Sequence, residues 1–390
     1  MGKKRSKMNN LEIAHQNIEA AFREAEKMGL TVKKENYQES CYETYKKAVK
    51  TMINDLAELE GIHSKRILPK YFNAETWDKY FDYLIEQYEK GNIAASTIQQ
   101  RVHALEAFKH FVNHTNVLGK DTKIRIGNIE ERLEYLKERG VYRTQDEVTA
   151  MKPTKEIVER VHSHIDRSTH NGNTAYLINK LQVETGGRIR AMLKLEVKDV
   201  NFEKNTITFR CDKNNFTRTV PLTETARNIL RPLCEGKKPG RKIFTIKDRN
   251  GNDKKLSEAV KTVQRITREA AEKAGAYQKD NRFTTHSNRK RYAQNLYDQT
   301  RFWSKSKLKR EIQNYIRMQG SNEENIKKRI KNELHRINRY RKIKKKPIKG
   351  FSHEHLRRMY VALHLGHSRC DIVLRYIKPD PVREIYQSVA

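Results

Sequence analysis

Apolar residues recur along this chain mostly at three- and four-residue intervals, the repeat of a helix with one buried stripe. Leu11, Ala14, Ile18, Phe22, Ala25 and Met28 form the first stripe, and Gly29 supplies a stop. Tyr42, Tyr45, Val49, Met52, Ile53, Leu56 and Leu59 form a second, ended by Gly61. Trp77, Phe81, Leu84 and Tyr88 form a third, ended by Gly91. Ile98, Val102, Leu105, Phe108, Phe111 and Val112 form a fourth, for which Ser96 or Thr97 is the expected cap. Residues 1–36 therefore read as a basic tail and one helix, whose stripe either completes a core or meets a neighbouring subunit. Residues 37–130 read as a small all-helical domain. Residues 131–153 are charged and weakly periodic, with Pro153 near their end, and read as a linker.

A second domain follows over 154–390. It opens with helical patterns through Leu181 and Val183, and then the repeat changes. Val200-Asn201-Phe202, Thr206-Ile207-Thr208-Phe209-Arg210 and Thr217-Arg218-Thr219-Val220 have strand character, and Asp212-Lys213-Asn214-Asn215 supplies a turn. After this the chain returns to helix. The expected fold class is mainly α with a small antiparallel β-sheet, an α+β domain behind an all-α one. Residues 301–350 stand apart: 18 Lys and Arg face four acids, while Ile326, Ile330, Leu334, Ile337 and Tyr340 keep helical spacing. They predict a basic amphipathic helix ending in the cationic cluster Lys342, Lys344, Lys345 and Lys346.

Charge narrows the partners. Lys plus Arg number 81 against 48 Asp plus Glu, a formal net charge of +33. Such an excess repels itself and calls for a polyanion. A membrane loses ground because no apolar stretch nears the roughly 20 residues that span a bilayer. No apolar signal-peptide core follows Met1-Gly2-Lys3-Lys4-Arg5, so a cytoplasmic, nucleoid-associated protein is expected. Gln99, Gln100, Arg101 and His103 lie off the fourth stripe and face either a DNA groove or water. The four cysteines form no CxxC pair and read as reduced and structural. His353, His355, His364 and His367 cluster, but without HExxH or a cysteine pair, so no metal is expected.

Cutting a phosphodiester without a metal takes a nucleophile, cations for the nonbridging oxygens and an acid for the leaving oxygen. Arg suits the oxygens, and Lys or His suits proton transfer. Four segments carry these residue types in order. They are Thr185-Gly186-Gly187-Arg188-Ile189; Lys213-Asn214-Asn215-Phe216-Thr217-Arg218-Thr219-Val220-Pro221-Leu222; His286-Ser287-Asn288-Arg289 with Tyr292-Ala293; and Leu365-Gly366-His367-Ser368 with Tyr376 nine residues after His367. Read together, they resemble the boxes of the tyrosine recombinase (phage integrase) family. The resemblance covers the second domain and, more loosely, the helical domain, where Ala95–Arg101 is similar to part of the family's core-binding domain.

The resemblance implies roles. Tyr376 would be the nucleophile that forms a 3′-phosphotyrosyl link. Arg188 and Arg289 would clamp the scissile phosphate, and Lys213 would protonate the departing 5′ oxygen. His286 would assist proton transfer or bond the phosphate, and His367 would bind the phosphate or position Tyr376. It also implies independence of metal, ATP and other cofactors. Further implications are a C-shaped clamp on double-stranded DNA with specific recombination sites, a homo-tetramer, a Holliday junction intermediate and a mobile-element setting. The tail from Lys378 would dock on a neighbouring subunit or on its own.

This chain departs from the family pattern in three places. Ala191 stands where an acid usually follows the first arginine, and Asn288 replaces an apolar residue. The 301–350 segment lengthens the path from Arg289 to His367, as a looped-out helical element that reaches DNA phosphates or as a solvated excursion. It also creates a rival alignment with His355-Leu356-Arg357-Arg358, just beyond it, which ends nine residues before His367 and is too close to it to share one phosphate. A type IB topoisomerase, which usually has lysine where His286 stands, and a catalytically silent DNA-binding regulator are the alternatives.

Overall fold

The protein is described here by a computed structural model, which covers residues 8–32, 39–126, 129–141, 150–210 and 216–380. The chain divides into two compact units, Met1–Thr144 and Gln145–Ala390.

In the first unit the four stripes fold into helices α1 (Asn10–Lys27), α2 (Glu39–Glu60), α3 (Ala74–Glu89) and α4 (Ala95–Thr115). Asn9 and Glu12 close a capping box at the start of α1. The α1 stripe completes the unit's own core: Ala14, Ile18 and Phe22 bury with Val49, Ile53, Phe108 and Phe111. Phe22 meets Phe111 edge to face at 5.3 Å between ring centres. α4 starts on Ala94 with no side-chain cap, so neither Ser96 nor Thr97 serves. The stretch after residue 130 is not all connector. α5 (Ile129–Glu138) buries Leu136, and Val141 joins the same core.

The second unit begins with α6 (Lys155–Ser163), α7 (His170–Thr185) and the single turn α8 (Ile189–Met192). β1 (Val200–Asn201), β2 (Thr206–Phe209) and β3 (Arg218–Pro221) then form the antiparallel sheet in that order, with Ile207 opposite Val220. These are the strands the alternation predicts, and alternate residues Ile207 and Phe209 bury against the helices. The turn 212–215, with Lys213, lies outside the described residues. α9 (Glu224–Cys234), α10 (Leu256–Lys273), a two-stranded ribbon (β4 Tyr277–Gln278, β5 Asn281–Arg282) and α11 (Thr285–Gln299) follow.

The basic segment is built differently from a looped-out excursion. Its first half is α12 (Lys305–Met318), which buries Leu308, Ile312, Tyr315 and Ile316 in the unit's core. The Tyr315 hydroxyl donates to the Leu363 carbonyl at 2.8 Å. Beyond α12, the Gln319 side-chain amide pairs with the backbone of Thr219 on β3: it accepts from the N–H at 2.9 Å and donates to the C=O at 2.8 Å. Four closely spaced cations (Lys305, Lys307, Lys309, Arg310) hide the apolar spacing of α12 in the sequence. The second half, α13 (Glu323–Ile343), is the predicted amphipathic helix. It buries Ile326, Glu333 and Ile337, while Tyr340, assigned to the stripe, is exposed. α14 (His353–His364) and a 3₁₀ turn (Asp371–Arg375) complete the described chain. No described helix is long and apolar enough to cross a membrane.

Candidate active site

Three chain reversals bring the boxes together. Thr284 caps α11, setting His286 in its first turn and Arg289 three residues on, along the same face. α7 ends at Gly186, which takes the left-handed conformation (φ 61°). Arg188 follows at the N-cap of α8. α14 ends in Leu365-Gly366, and the His367 N–H returns to the Ala362 carbonyl at 2.8 Å.

Buried arginines lock these reversals to one another. Arg289 donates through Nη1 to the Gly186 carbonyl and through Nη2 to the Leu365 carbonyl. Arg218 of β3, also fully buried, donates to the carbonyls of His364 at 2.6 Å, Gly186 at 3.0 Å and Thr185 at 3.4 Å. The Gly186 oxygen thus accepts from both. In the sequence Arg218 stands only as part of the Arg-x-Val-Pro-Leu ending, with no role attached.

Tyr376 sits over this frame. Its hydroxyl lies 3.0 Å from His367 Nε2. Its ring centre lies 5.3 Å from that of His286 and 5.5 Å from that of His367, and the Arg289 guanidinium is 5.8 Å away. His286 keeps a solvent-facing edge, yet burial, then Arg289, Lys290 and Arg188, push its pKa down to about 3. The arrangement can therefore hold an anion, orient a phenol and exchange its proton with an imidazole.

Asn288, the departure from the apolar pattern, has a structural reason. Its side chain donates to Asn179 Oδ1, and its Oδ1 lies 3.0 Å from Nε2 of buried His162. Asn179 in turn donates to Thr267 at 3.0 Å. This network ties α11 to α6, α7 and α10 behind His286 and Arg289.

The remaining sequence candidates fall elsewhere. Lys213 is outside the described residues. In the first unit Gln99 is half-exposed and Gln100 exposed. Arg101 turns inward instead, donating to Asp55 at 2.7 Å and the Tyr80 hydroxyl at 3.0 Å; helical spacing alone does not reveal this internal ion pair. Lys342, Lys344, Lys345 and Lys346 are all exposed. The rival box is scaffold: buried Arg357 donates to the Tyr297 carbonyl at 3.1 Å and pairs with Asp380 at 2.9 Å, while His355 Nδ1 lies 2.6 Å from the Ser352 hydroxyl. Among the described residues no three His, Cys, Asp or Glu side chains gather as metal ligands. Two residues without a motif also matter: Lys152, which falls in the expected linker, and Glu333, one of the few acids of the basic segment. Both reach the Tyr376 segment.

Two buried histidines predict an acid-sensitive fold. His162 and His364 are each 2% exposed. Burial lowers the pKa of His162 to about 4; burial and then Arg218 lower that of His364 to about 3. The unfolded value is near 6.5, so below it the unfolded chain binds more protons than the folded one. Stability should fall as pH drops from about 6.5 towards about 4, by up to roughly 1.4 kcal/mol per group per pH unit. Urea denaturation at pH 7, 6 and 5 checks this, and a midpoint that does not fall would contradict it.

Comparison with known proteins bears on this geometry. Residues 151–301 match the phage integrase family, a span that stops where the basic segment begins. Tyrosine recombinase XerA of Pyrococcus furiosus is 32% identical over 114 residues, 28% of this chain and 39% of that protein. Tyrosine recombinase XerA of Saccharolobus solfataricus is 38% identical over 71 residues, 18% of this chain and 24% of that protein. The chain thus aligns with well under half the length of either relative. Among solved structures, the Tn1549 transposon integrase in complex with transposon right end DNA has a TM-score of 0.54 at 12% identity, covering 96% of this chain and 99% of that one. The same integrase in complex with circular intermediate DNA gives 0.51 at 12% identity, with the same coverage. At that identity the likeness speaks for the fold: a mainly helical chain with a small antiparallel sheet. In its order of boxes and in the span 151–301, the chain is similar to the tyrosine recombinase (phage integrase) family.

Proposed function

We propose that this chain is a site-specific DNA recombinase that cuts and rejoins strands through Tyr376. The observation that carries the reading is the Tyr376 hydroxyl, 3.0 Å from His367 Nε2 and flanked by His286 and Arg289. The phenolic oxygen attacks the scissile phosphorus, forming an O–P bond as the bond to the 5′ oxygen breaks. His367 orients the hydroxyl and takes its proton. Arg188, Arg289 and His286 bind the nonbridging oxygens, and Lys213 delivers a proton to the 5′ oxygen. Attack by a 5′ hydroxyl on the phosphotyrosine runs the same steps backwards. The bond energy is conserved, so neither ATP nor a metal enters.

Around this chemistry we place a homo-tetramer on two specific duplex sites, exchanging strands through a Holliday junction in the service of a mobile element. The first unit would be its helical DNA-binding domain, with Gln99 and Gln100 towards a groove. Strand exchange between two duplexes separates this reading from a topoisomerase, which relaxes supercoils alone.

A labelled duplex carrying the target site and a nick beside the scissile phosphate tests the chemistry. A 3′ adduct should form in EDTA without ATP, and peptide mapping should place it on Tyr376. An adduct on another residue, or none, would sink the reading. The exposed cations of the insertion give a second prediction. Neutralising Lys342, Lys344, Lys345 and Lys346 to Gln should weaken DNA binding and flatten its salt dependence, by about 0.9 in slope for each phosphate that is no longer neutralised. Titration at several salt concentrations measures it; an unaltered slope leaves the cluster in solvent.

A further inference from the structure

The segment that carries Tyr376 is held from outside the phosphate cradle. Between Gly366 and Tyr376 the chain makes a single 3₁₀ turn, Asp371–Arg375, and Tyr376 stands at its C-terminal edge. A single 3₁₀ turn has few bonds of its own to fix its end. Lys152, from the segment that opens the second unit, donates through Nζ to the carbonyls of Leu374 and Ile377, each at 2.8 Å. These carbonyls lie two residues before Tyr376 and one after it. At the start of the turn, Glu333 of α13 accepts from the Cys370 N–H at 2.8 Å. Glu333 is 3% exposed, and Arg336 satisfies it with bonds of 2.6 and 2.8 Å while also reaching Asp371 at 3.3 Å.

We propose that Lys152 and Glu333 are positioning residues for the nucleophile. They fix both ends of the turn so that the Tyr376 hydroxyl stays against His367 and in line with a phosphate on Arg289. The 301–350 insertion then serves the chemistry through Glu333 as well as offering charge to DNA. The proposal rests on Tyr376 being the nucleophile. Its physical basis is that charge-assisted hydrogen bonds from a buried or half-buried ion reinforce a short turn whose own bonds are few, chiefly those from the Tyr376 and Ile377 N–H groups to the Val373 carbonyl at 2.8 and 3.1 Å. In-line attack is sensitive to such placement: a misplacement of about 1 Å can slow a reaction about a hundredfold.

The test compares full-length Lys152→Met and Glu333→Ala with Lys152→Arg and Glu333→Gln, whose side chains still donate to the carbonyls or accept from the Cys370 N–H. Single-turnover adduct formation is measured at saturating DNA on two nicked duplexes. One is ordinary; in the other the bridging 5′ oxygen is sulfur, which departs without a proton. The unaltered chain must first form an adduct that is lost in Tyr376→Phe; without it the nucleophile assignment itself fails.

The Met and Ala variants should be about ten- to a hundredfold slower on both duplexes. Melting temperature and DNA affinity should hold near those of the unaltered chain, and the Arg and Gln variants should recover most of the rate. Unchanged rates overturn the proposal. So does a defect confined to the oxygen duplex, which would assign proton delivery, or a rate loss that only follows loss of DNA affinity. Should Glu333→Ala fail to fold, Lys152→Met carries the decision. Hydrogen exchange over residues 370–377 of the free protein reads the turn without any reaction. It should quicken in the Met and Ala variants, and exchange that stays the same overturns the proposal whatever the cleavage rates.

Discussion

Tyr376→Phe should fold, bind DNA as the unaltered chain does, and form no covalent adduct. The substitution removes one oxygen and keeps the ring, which packs with Val361, Ala362, Leu365 and Val373 and is 7% exposed. The hydroxyl's bond to His367 goes with that oxygen, at a cost of about 1 kcal/mol. In the proposed mechanism phosphate affinity rests on Arg188 and Arg289, and Arg289 stays where the Gly186 and Leu365 carbonyls hold it. Chemistry has no such reserve, since phenylalanine offers no atom to bond to phosphorus. A denaturing gel with labelled nicked duplex reads the outcome. A shifted band that survives in the Phe variant would move the nucleophile elsewhere, with Tyr386, ten residues on, the first to check.

Gly186→Ala should be a strongly damaging single methyl in the second unit. Gly186 has φ +61°, and a Cβ built there comes within 2.3 Å of the Tyr292 ring. The left-handed backbone costs a non-glycine residue roughly 1–2 kcal/mol, and overpacking typically adds about 1–3 kcal/mol. Tyr292 has little room to yield, because it is buried and its hydroxyl lies 3.1 Å from His364 Nδ1. Any shift of the Gly186 carbonyl disturbs Arg289 and Arg218 together. The expected result is a melting temperature several degrees lower and adduct formation slowed more than DNA binding. Thermal unfolding and single-turnover cleavage measure both. A variant that melts normally would mean that the loop relaxes around the methyl.

Helices and strands are legible in the sequence because the stripes of α1 to α4 and the alternation of β2 and β3 are local. The site is legible for a different reason. Its motifs have fixed internal spacing, and Tyr376 gains meaning from His367, nine residues earlier. What stays hidden depends on pairings distant in sequence. Arg101 meets Asp55 across 46 residues, Asn288 meets Asn179 across 109, and Lys152 meets Leu374 across 222. No periodicity encodes such partners, so a buried polar residue in a helix looks like a solvent-facing one. α12 is hidden by the same logic, its apolar face being short and crowded by cations.

The Gln319 amide has a consequence beyond its two bonds to Thr219. β3 is the last strand of its sheet, and an uncovered edge is a template for another chain's backbone. Gln319 fills one donor–acceptor pair of that edge with a side chain, so the ladder stops there. The basic segment thus also caps part of a sheet edge, which its charge gives no hint of.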